Sequence, residues 1–369
     1  MLFKRITVFV SIFLLAFSIR FFFMSRGGFN TEATQIISAA QKTAGTGILR
    51  EVQTGSGPMA VMFGLFFMKI FSFFGAQDPS IGANFMSVLA GSFTVIAFFA
   101  FLEKLLSFKK AVLSSLILCF FGPHIEISTF ANGIVLSMLM YLGSMICMIE
   151  FREKALKPYL FFSGILAGLA VSARMVDLVI LLPVSFLFFY SRPFEKRSLG
   201  LFAAFLFLFA LTVEIYYFSY IFEKGGRFFI SGLDYLKNIH FDPKSLLDLA
   251  YILMPEGLIL ACAGISYMLL KKHIMQFIFL ILWFVVMQYV YGNQEGARYL
   301  VVSCLPLIAA SGDFLGGFKG KMFYVSCLLA GIIGLGSFLR SAGQLNLKSK
   351  YILETNTIFQ RLQEKKGIL

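Results

Sequence analysis

The chain has 369 residues, of which 59% are hydrophobic and 14% are charged. Because soluble domains carry about 25% charged residues, this composition excludes an ordinary soluble protein and favours a membrane protein. The net charge of +13 would suggest nucleic-acid binding in a soluble protein, but most of these basic residues lie in short loops between apolar runs, as the positive-inside rule requires.

Apolar runs recur along the whole chain and predict an all-α, multi-pass transmembrane bundle of about 11–12 spans. Backbone groups in lipid must be satisfied within each segment, so the spans are predicted as helices. The first run follows Lys4 and Arg5 without a small-residue cleavage pattern, which favours a retained helix over a signal peptide. The predicted spans are residues 6–23, 58–76, 83–103, 111–123, 131–149, 159–174, 176–191, 199–221, 248–270, 274–290, 300–316 and 322–340.

The distribution of basic loops orients these spans. With Lys4 and Arg5 inside, the loops expected on the same side are 151–157, 192–197, 271–272 and 319–321. When the spans are counted backwards from these inside loops, residues 58–76 are left without a full crossing of the membrane. We therefore predict that this run is shallow or re-entrant on the outer side. The alternative is a true span, with one loop that breaks the charge rule. The outer segments are then 24–57, 123–130, 222–247, 291–299 and a tail, 341–369, which follows a single transmembrane domain formed by residues 1–340.

Two outer segments are predicted to hold short amphipathic helices that lie at the membrane interface. In the first, the residues on one helical face are Phe29, Ala33, Ile36, Ile37 and Ala40. In the second, they are Phe228, Phe229, Leu233 and Leu236.

Ionisable side chains within or near spans are costly, and they usually face a cavity, a partner or a functional site. Here they are Arg20, Arg174, Asp177, Glu214 and Glu256. Snorkelling to the surface is the alternative for each of them. Arg174 and Asp177 are three residues apart, so they could also pair with each other on one helical face.

Three outer-side residues have both a structural and a functional interpretation. Glu32 opens the first amphipathic helix, where the helix dipole favours an acid, but it could equally act as a general base. His124 and Glu126 follow Pro123, and they are either polar residues of a turn or contacts of a substrate.

The five cysteines lie in apolar runs and show no spacing typical of a metal site or a disulfide framework.

Four motifs follow one another along the chain. They are Phe29–Gly45; Thr54-Gly-Ser-Gly-Pro58 with the helix Met59–Gly75; Phe121–Ala131; and Gly296-Ala-Arg-Tyr-Leu300 with Pro306. In this order and spacing they resemble the GT-C superfamily of integral-membrane glycosyltransferases, of the protein O-mannosyltransferase and aminoarabinose transferase type. The likeness covers roughly residues 1–320.

The resemblance implies a GT-C fold that moves a sugar from a polyprenyl-phosphate carrier to a lipid, glycan or protein acceptor. The acceptor would be met at the outer face of a bacterial inner or plasma membrane, with no nucleic acid involved. Glu32 would deprotonate the acceptor, and the substrate-binding residues would be Arg298, Tyr299, Arg174, Lys69, His124 and Glu126.

This chain departs from the family at its acids. The family's catalytic Asp falls on Thr31, and a second acid falls near Ile134. No cofactor is therefore expected, since the divalent metal of some family members would have one acid fewer. The alternative is a non-catalytic relative that binds polyprenyl lipid or assists a partner enzyme. A transporter is disfavoured because no internal repeat is visible.

Overall fold

The computed structural model describes residues 2–27, 31–47, 56–190, 196–224, 243–292 and 297–339. The regular structure of these residues is helical. The helices, in chain order, are α1 (Leu2–Phe22), α2 (Thr31–Thr46), α3 (Pro58–Phe73), α4 (Pro79–Leu105), α5 (Phe108–Phe120), α6 (Gly122–Ile127), α7 (Ile134–Lys154), α8 (Lys157–Ala173), α9 (Leu181–Phe189), α10 (Lys196–Lys224), α11 (Lys244–Leu270), α12 (Ile274–Tyr291), α13 (Val301–Gly316) and α14 (Lys321–Leu339). Short 3₁₀ turns, Met175–Ile180 and Ala297–Leu300, precede α9 and α13.

Seven of the described helices are long and apolar enough to cross a membrane: α1, α4, α7, α10, α11, α12 and α14. Four shorter apolar segments accompany them, namely α3, α8, Met175–Phe189 and α13. Each predicted span overlaps one of the helices. The prediction of an all-α, multi-pass bundle is therefore confirmed.

Ion pairs gather several basic loops at one end of the bundle, which we call the basic end. The pairs are Arg5 with Glu103 (3.1 Å), Lys104 with Glu150, Lys154 with Glu150 (2.6 Å) and Lys110 with Asp313 (2.6 Å). Lysine–ring contacts add Lys109 with Phe323 and Lys271 with Tyr267. The start of α1 and the turns α4–α5, α7–α8, α11–α12 and α13–α14 therefore share this end, as the charge distribution predicts for one side of the membrane.

The opposite end, which we call the site end, is held together through Asn84 near the start of α4. Its side-chain nitrogen donates to the main-chain oxygens of Ser25 (2.8 Å) and Gly27 (3.1 Å), and its oxygen accepts from the Ala131 amide (2.8 Å). Asn84 is fully buried, so these bonds replace the water it has lost. The segments that follow α1 and precede α7 are therefore fixed against α4.

Helix α3 has both of its ends at the site end. Just before it, the Gly57 amide donates to the Ala173 carbonyl at the end of α8 (2.6 Å). Further along, the ring of Phe71 lies 5.0 Å from that of Phe85, near the start of α4. At 1.5 Å per residue the helix is about 24 Å long, which is less than a bilayer core of ~30 Å. These contacts support the prediction of a shallow or re-entrant segment.

Helix α2 is amphipathic as predicted, but its apolar face does not meet lipid. Ala33, Ile36 and Ala40 are fully buried. They form one cluster with residues of α3 and with Phe130 and Ala131, which precede α7. The apolar face of α2 therefore packs against the bundle. The second predicted amphipathic helix (Phe228–Phe241) and the tail (341–369) lie outside the described residues.

Candidate functional site

The site is built around Arg174, where the helical conformation of the chain is interrupted. Helix α8 ends at Ala173, and Arg174 has extended backbone angles (φ −152°, ψ 118°) before the 3₁₀ turn begins. Its main chain forms an isolated antiparallel bridge with Ser56, which precedes α3. Arg174 and Asp177 therefore do not share one helical face, contrary to the simplest interpretation of their spacing.

Glu32, in the first turn of α2, lies next to Arg174 and Ser56. Its carboxylate is 2% exposed, and its Oε1 accepts a short hydrogen bond from the Ser56 hydroxyl. Arg174 Nη1 lies 3.8 Å from the same oxygen. The Ser56 hydroxyl in turn accepts from the Gly133 amide (3.0 Å). A buried carboxylate requires such partners, so Ser56 and Arg174 together stabilise Glu32 at this position.

The second oxygen of Glu32 has no hydrogen-bond donor among the described residues. Oε2 is buried and accepts no hydrogen bond from the residues that the structure describes. Gln35 lies one turn along the same helix face, and its Oε1 is also buried without a hydrogen-bond donor among the described residues. Buried acceptors without donors are rare in native structures and call for an explanation. A substrate hydroxyl is a donor of the required kind.

Two tyrosine rings flank the Arg174 guanidinium. Its central carbon lies 5.4 Å from the ring centre of Tyr291, at the end of α12, and 5.1 Å from that of Tyr299, in the turn before α13. Rings at this distance attract a cation through their π faces. Late elements of the chain therefore meet the first outer segment at Arg174.

Asp177 lies behind these rings and is 1% exposed. It accepts hydrogen bonds from the Tyr291 hydroxyl (2.5 Å) and from the Ser137 hydroxyl. Two hydroxyl donors provide the hydrogen bonding that a buried carboxylate needs. The cluster is thus a connected set that runs from Glu32 through Arg174 and Tyr291 to Asp177.

Comparison with known proteins bears on the fold. No protein-family model matches the chain, and no curated protein matches it. Solved structures do match: apo ArnT from Cupriavidus metallidurans has a TM-score of 0.60 at 12% identity, over 88% of this chain and 62% of ArnT. The oligosaccharyltransferase AglB from Archaeoglobus fulgidus, in complex with an inhibitory peptide and a dolichol-phosphate, has a TM-score of 0.60 at 14% identity, over 92% of this chain and 55% of AglB. The chain has the fold of the GT-C glycosyltransferases.

The likeness to the GT-C fold extends to a structure with a bound lipid. ArnT bound to undecaprenyl phosphate has a TM-score of 0.58 at 14% identity, over 88% of this chain. The chain spans 62% of the length of ArnT and 55% of that of AglB, so it covers less than two thirds of either protein.

Of the residues predicted for a GT-C site, the structure brings together Glu32, Arg174 and Tyr299. Lys69 is exposed on α3, eleven residues beyond Pro58 and so roughly 16 Å along the helix from the Ser56–Arg174 bridge. It is not part of this cluster. The side chain of Arg298 lies outside the described residues, although its main chain forms the same 3₁₀ turn as Tyr299.

His124 belongs to a different buried pair. Its Nδ1 lies 2.6 Å from Arg20 Nη2, and both residues are fully buried. Burial, followed by the neighbouring Arg20 charge, lowers the pKa of His124 well below its usual range. The imidazole is therefore neutral and accepts the hydrogen bond that Arg20 donates. Glu126, half-buried in the same short helix, accepts from the Thr129 hydroxyl through its main-chain oxygen (2.8 Å).

The residues described around Glu32 do not fit a divalent metal. Glu32 is the carboxylate at this site, and the Arg174 guanidinium beside it would repel a cation. In the described part of the chain, no group of three or more His, Cys, Asp or Glu side chains is arranged to hold a metal ion. At the positions of the family's acids, Thr31 is exposed and Ile134 is fully buried.

Sequence reasoning missed three residues of the cluster: Ser56, Ser137 and Tyr291. Ser56 lies in Gly-Ser-Gly-Pro, and small residues there allow main chains to approach closely. A Cβ on Gly57 would lie 2.1 Å from the Ser172 carbonyl oxygen. Ser137 and Tyr291 lie in apolar runs, where a single hydroxyl gives a weak signal.

Proposed function

We propose that this protein is a membrane glycosyltransferase that moves a sugar from a polyprenyl-phosphate carrier to an acceptor hydroxyl at the site end. The observation that supports the proposal is the buried Glu32–Arg174 pair on a GT-C fold, with one carboxylate oxygen left without a hydrogen-bond donor among the described residues. A carboxylate and a guanidinium provide a base for the acceptor and a partner for the donor phosphate.

In the proposed reaction Glu32 Oε2 takes the proton of the acceptor hydroxyl. The acceptor oxygen attacks the anomeric carbon with inversion, and the bond from that carbon to the phosphate oxygen breaks. The electron pair leaves with the lipid phosphate, whose charge Arg174 and Arg298 stabilise. Fixed cations at the point where charge develops supply one of the largest contributions to catalysis in such a buried site.

The lipid carrier is inferred from the fold relatives. AglB was solved with a dolichol-phosphate and ArnT with undecaprenyl phosphate. What this chain shares with the two proteins is the fold. We propose a polyprenyl phosphate as the donor carrier here, with a lipid, glycan or protein acceptor. We also propose that residues 1–340 form the GT-C domain, with the site end on the outer face of a bacterial plasma membrane and residues 341–369 on that side.

The test is a transfer assay with membranes that contain the protein and radiolabelled polyprenyl-phosphate sugars. Glu32→Gln should reduce transfer by about 10²-fold or more because it removes the base. Glu103→Gln is the matched control, since Glu103 pairs with Arg5 at the opposite end of the bundle. Transfer that persists in Glu32→Gln, or that falls equally in both variants, would remove Glu32 from the role of base.

A second candidate is a non-catalytic GT-C-like protein that binds polyprenyl lipid or assists a partner enzyme. The observation that favours it is the pair of departures at the family's acid positions, Thr31 and Ile134. It predicts no transfer by the wild type with any donor, together with retained binding of undecaprenyl phosphate. Transfer that appears only in Thr31→Asp would also favour this candidate.

Arg298 is proposed as a further contact of the donor phosphate. Arg298→Ala should weaken binding of the donor more than binding of the acceptor, because it removes one of the two cations proposed to bind the donor phosphate. The measurement is the change in KM for each substrate. An unchanged donor KM would exclude the phosphate role.

A further inference from the structure

Asp177 has no role in the reaction described above, although a carboxylate buried to this degree is costly. Its two hydrogen-bond donors come from different elements, Ser137 from α7 and Tyr291 from the end of α12. Tyr291 is the link to the site, because its ring faces the Arg174 guanidinium while its hydroxyl donates to Asp177.

We propose that Asp177 is a positioning residue, which fixes the ring of Tyr291 against Arg174 and so fixes the guanidinium that is to meet the donor phosphate. This inference rests on the proposed function, since it takes Arg174 as a phosphate contact. Asp177 itself touches no substrate. It acts through a hydrogen bond to Tyr291, and Tyr291 acts through its ring.

The physical reason is the flexibility of arginine. A free arginine side chain has many rotamers, and each one that binding must remove lowers the affinity for the ligand. The ring centres of Tyr299 and Tyr291 lie 5.1 and 5.4 Å from the central carbon of the Arg174 guanidinium, so both rings restrict its position. The Tyr291 ring can hold Arg174 in place only if the ring is itself held, and the 2.5 Å bond to Asp177 does this.

The chain offers a matched control in Tyr141. It lies one turn beyond Ser137 on α7 and is fully buried. Its hydroxyl has no hydrogen-bond partner among the described residues, and its ring packs edge-on against Trp283 (6.1 Å). Tyr141→Phe and Tyr291→Phe therefore delete the same atom from neighbouring parts of the core, but only the second deletion breaks the bond to Asp177.

The experiment measures the affinity of purified protein in lipid nanodiscs for undecaprenyl phosphate, together with the unfolding temperature. Tyr291→Phe should weaken binding roughly five- to tenfold, as expected for coupled neighbours, and Tyr141→Phe should leave it within about twofold. Because Asp177 acts through Tyr291, the double variant Asp177→Ala with Tyr291→Phe should bind no more weakly than Asp177→Ala alone. A residue with only a structural role would change the unfolding temperature without this pattern in affinity.

Each of three results with the variants would overturn the proposal: unchanged affinity in Tyr291→Phe, equal losses in the two Tyr→Phe variants, or additive losses in the double variant. If Asp177→Ala fails to fold, the two Tyr→Phe variants decide. A wild type that does not bind undecaprenyl phosphate overturns the positioning role as well. The proposal of a transferase would then still be judged separately, by the transfer assay with Glu32→Gln.

Discussion

Arg174 Nη1 lies 3.8 Å from Glu32 Oε1, and this contact joins the first outer segment of the chain to the end of α8. Neither side chain reaches water, since each is 2% exposed. Removing either partner would take a charge partner away from the other buried side chain, which typically costs several kcal/mol. The site is therefore sensitive to small changes in the residues that hold this pair.

Ser56→Ala should destabilise the protein and slow transfer. The hydroxyl donates to Glu32 and accepts from the Gly133 amide, so its loss leaves two buried groups without a partner, at about 1–3 kcal/mol. Ser172→Ala is the control, because the Ser172 hydroxyl donates only within its own helix, to the Gly168 carbonyl (2.8 Å). Thermal unfolding in detergent measures both, and equal losses would contradict the prediction.

Gly133→Ala should displace the main chain at the site. An added Cβ would lie 2.5 Å from the Ala173 carbonyl oxygen and 2.9 Å from Ser56 Oγ, so the Ser56–Arg174 bridge must shift. We expect a lower unfolding temperature and a loss of transfer. Gly200→Ala in α10 is the control: a Cβ there meets nothing within 4 Å, and the change should be neutral or stabilising by up to about 1 kcal/mol. A fully active Gly133→Ala would show that this packing is not required.

The buried His124 should make stability depend on pH. Its pKa is lowered in the folded protein, so above about pH 6.5 the imidazole is neutral in both states and contributes no pH dependence. Below that pH the unfolded chain takes up a proton that the folded chain does not, and stability falls by up to about 1.4 kcal/mol per pH unit. The loss should continue until the pH reaches the lowered folded pKa.

His124→Asn should flatten this dependence, because the asparagine oxygen can replace Nδ1 as the acceptor of Arg20 and does not titrate between pH 5 and 7.5. His273→Asn, at the basic end just before α12, is the control and should leave the slope unchanged. The measurement is the unfolding temperature in detergent from about pH 7.5 to pH 5. A slope that survives in His124→Asn would assign the acid sensitivity to other groups.

Cysteine labelling tests which end of the bundle faces outward. Lys42, on α2, and Lys154, at the basic end, both have exposed side chains. In a background where the exposed Cys262 is replaced, Lys42→Cys should react with an impermeant maleimide in intact cells. Lys154→Cys should react only after the membrane is opened. The reverse result would invert the orientation and place the proposed site inside.

Hydropathy alone predicted the helical bundle, because an apolar run of sufficient length has few alternatives in a membrane. The charge rule also grouped the basic loops that the ion pairs bring together. The site was harder to predict. Arg174 could be named as a costly ionisable group and Glu32 as a candidate base. Their contact, however, depends on a main-chain bridge between Ser56 and Arg174, and no local pattern encodes such a bridge.

His124 shows a second limit of the sequence. The sequence allows His124 to be either a turn residue or a substrate contact, and it gives no indication of the buried pair with Arg20 that the structure shows. The two residues come from α1 and α6, and Arg20 Nη1 also donates to the Cys119 carbonyl in α5 (3.4 Å). A contact between a buried cation and a neutral acceptor leaves no separate signal in the sequence at either position.

Part of the framework under the site consists of contacts between main-chain groups: the Ser56–Arg174 bridge, and the Gly57 amide with the Ala173 carbonyl. Bonds between peptide groups do not depend on which side chains the chain carries. Most side chains around such a framework can therefore be exchanged by mutation while the backbone keeps its course, provided that the close approaches stay glycine. This offers a physical route by which a chain with 12% identity to ArnT retains the same architecture.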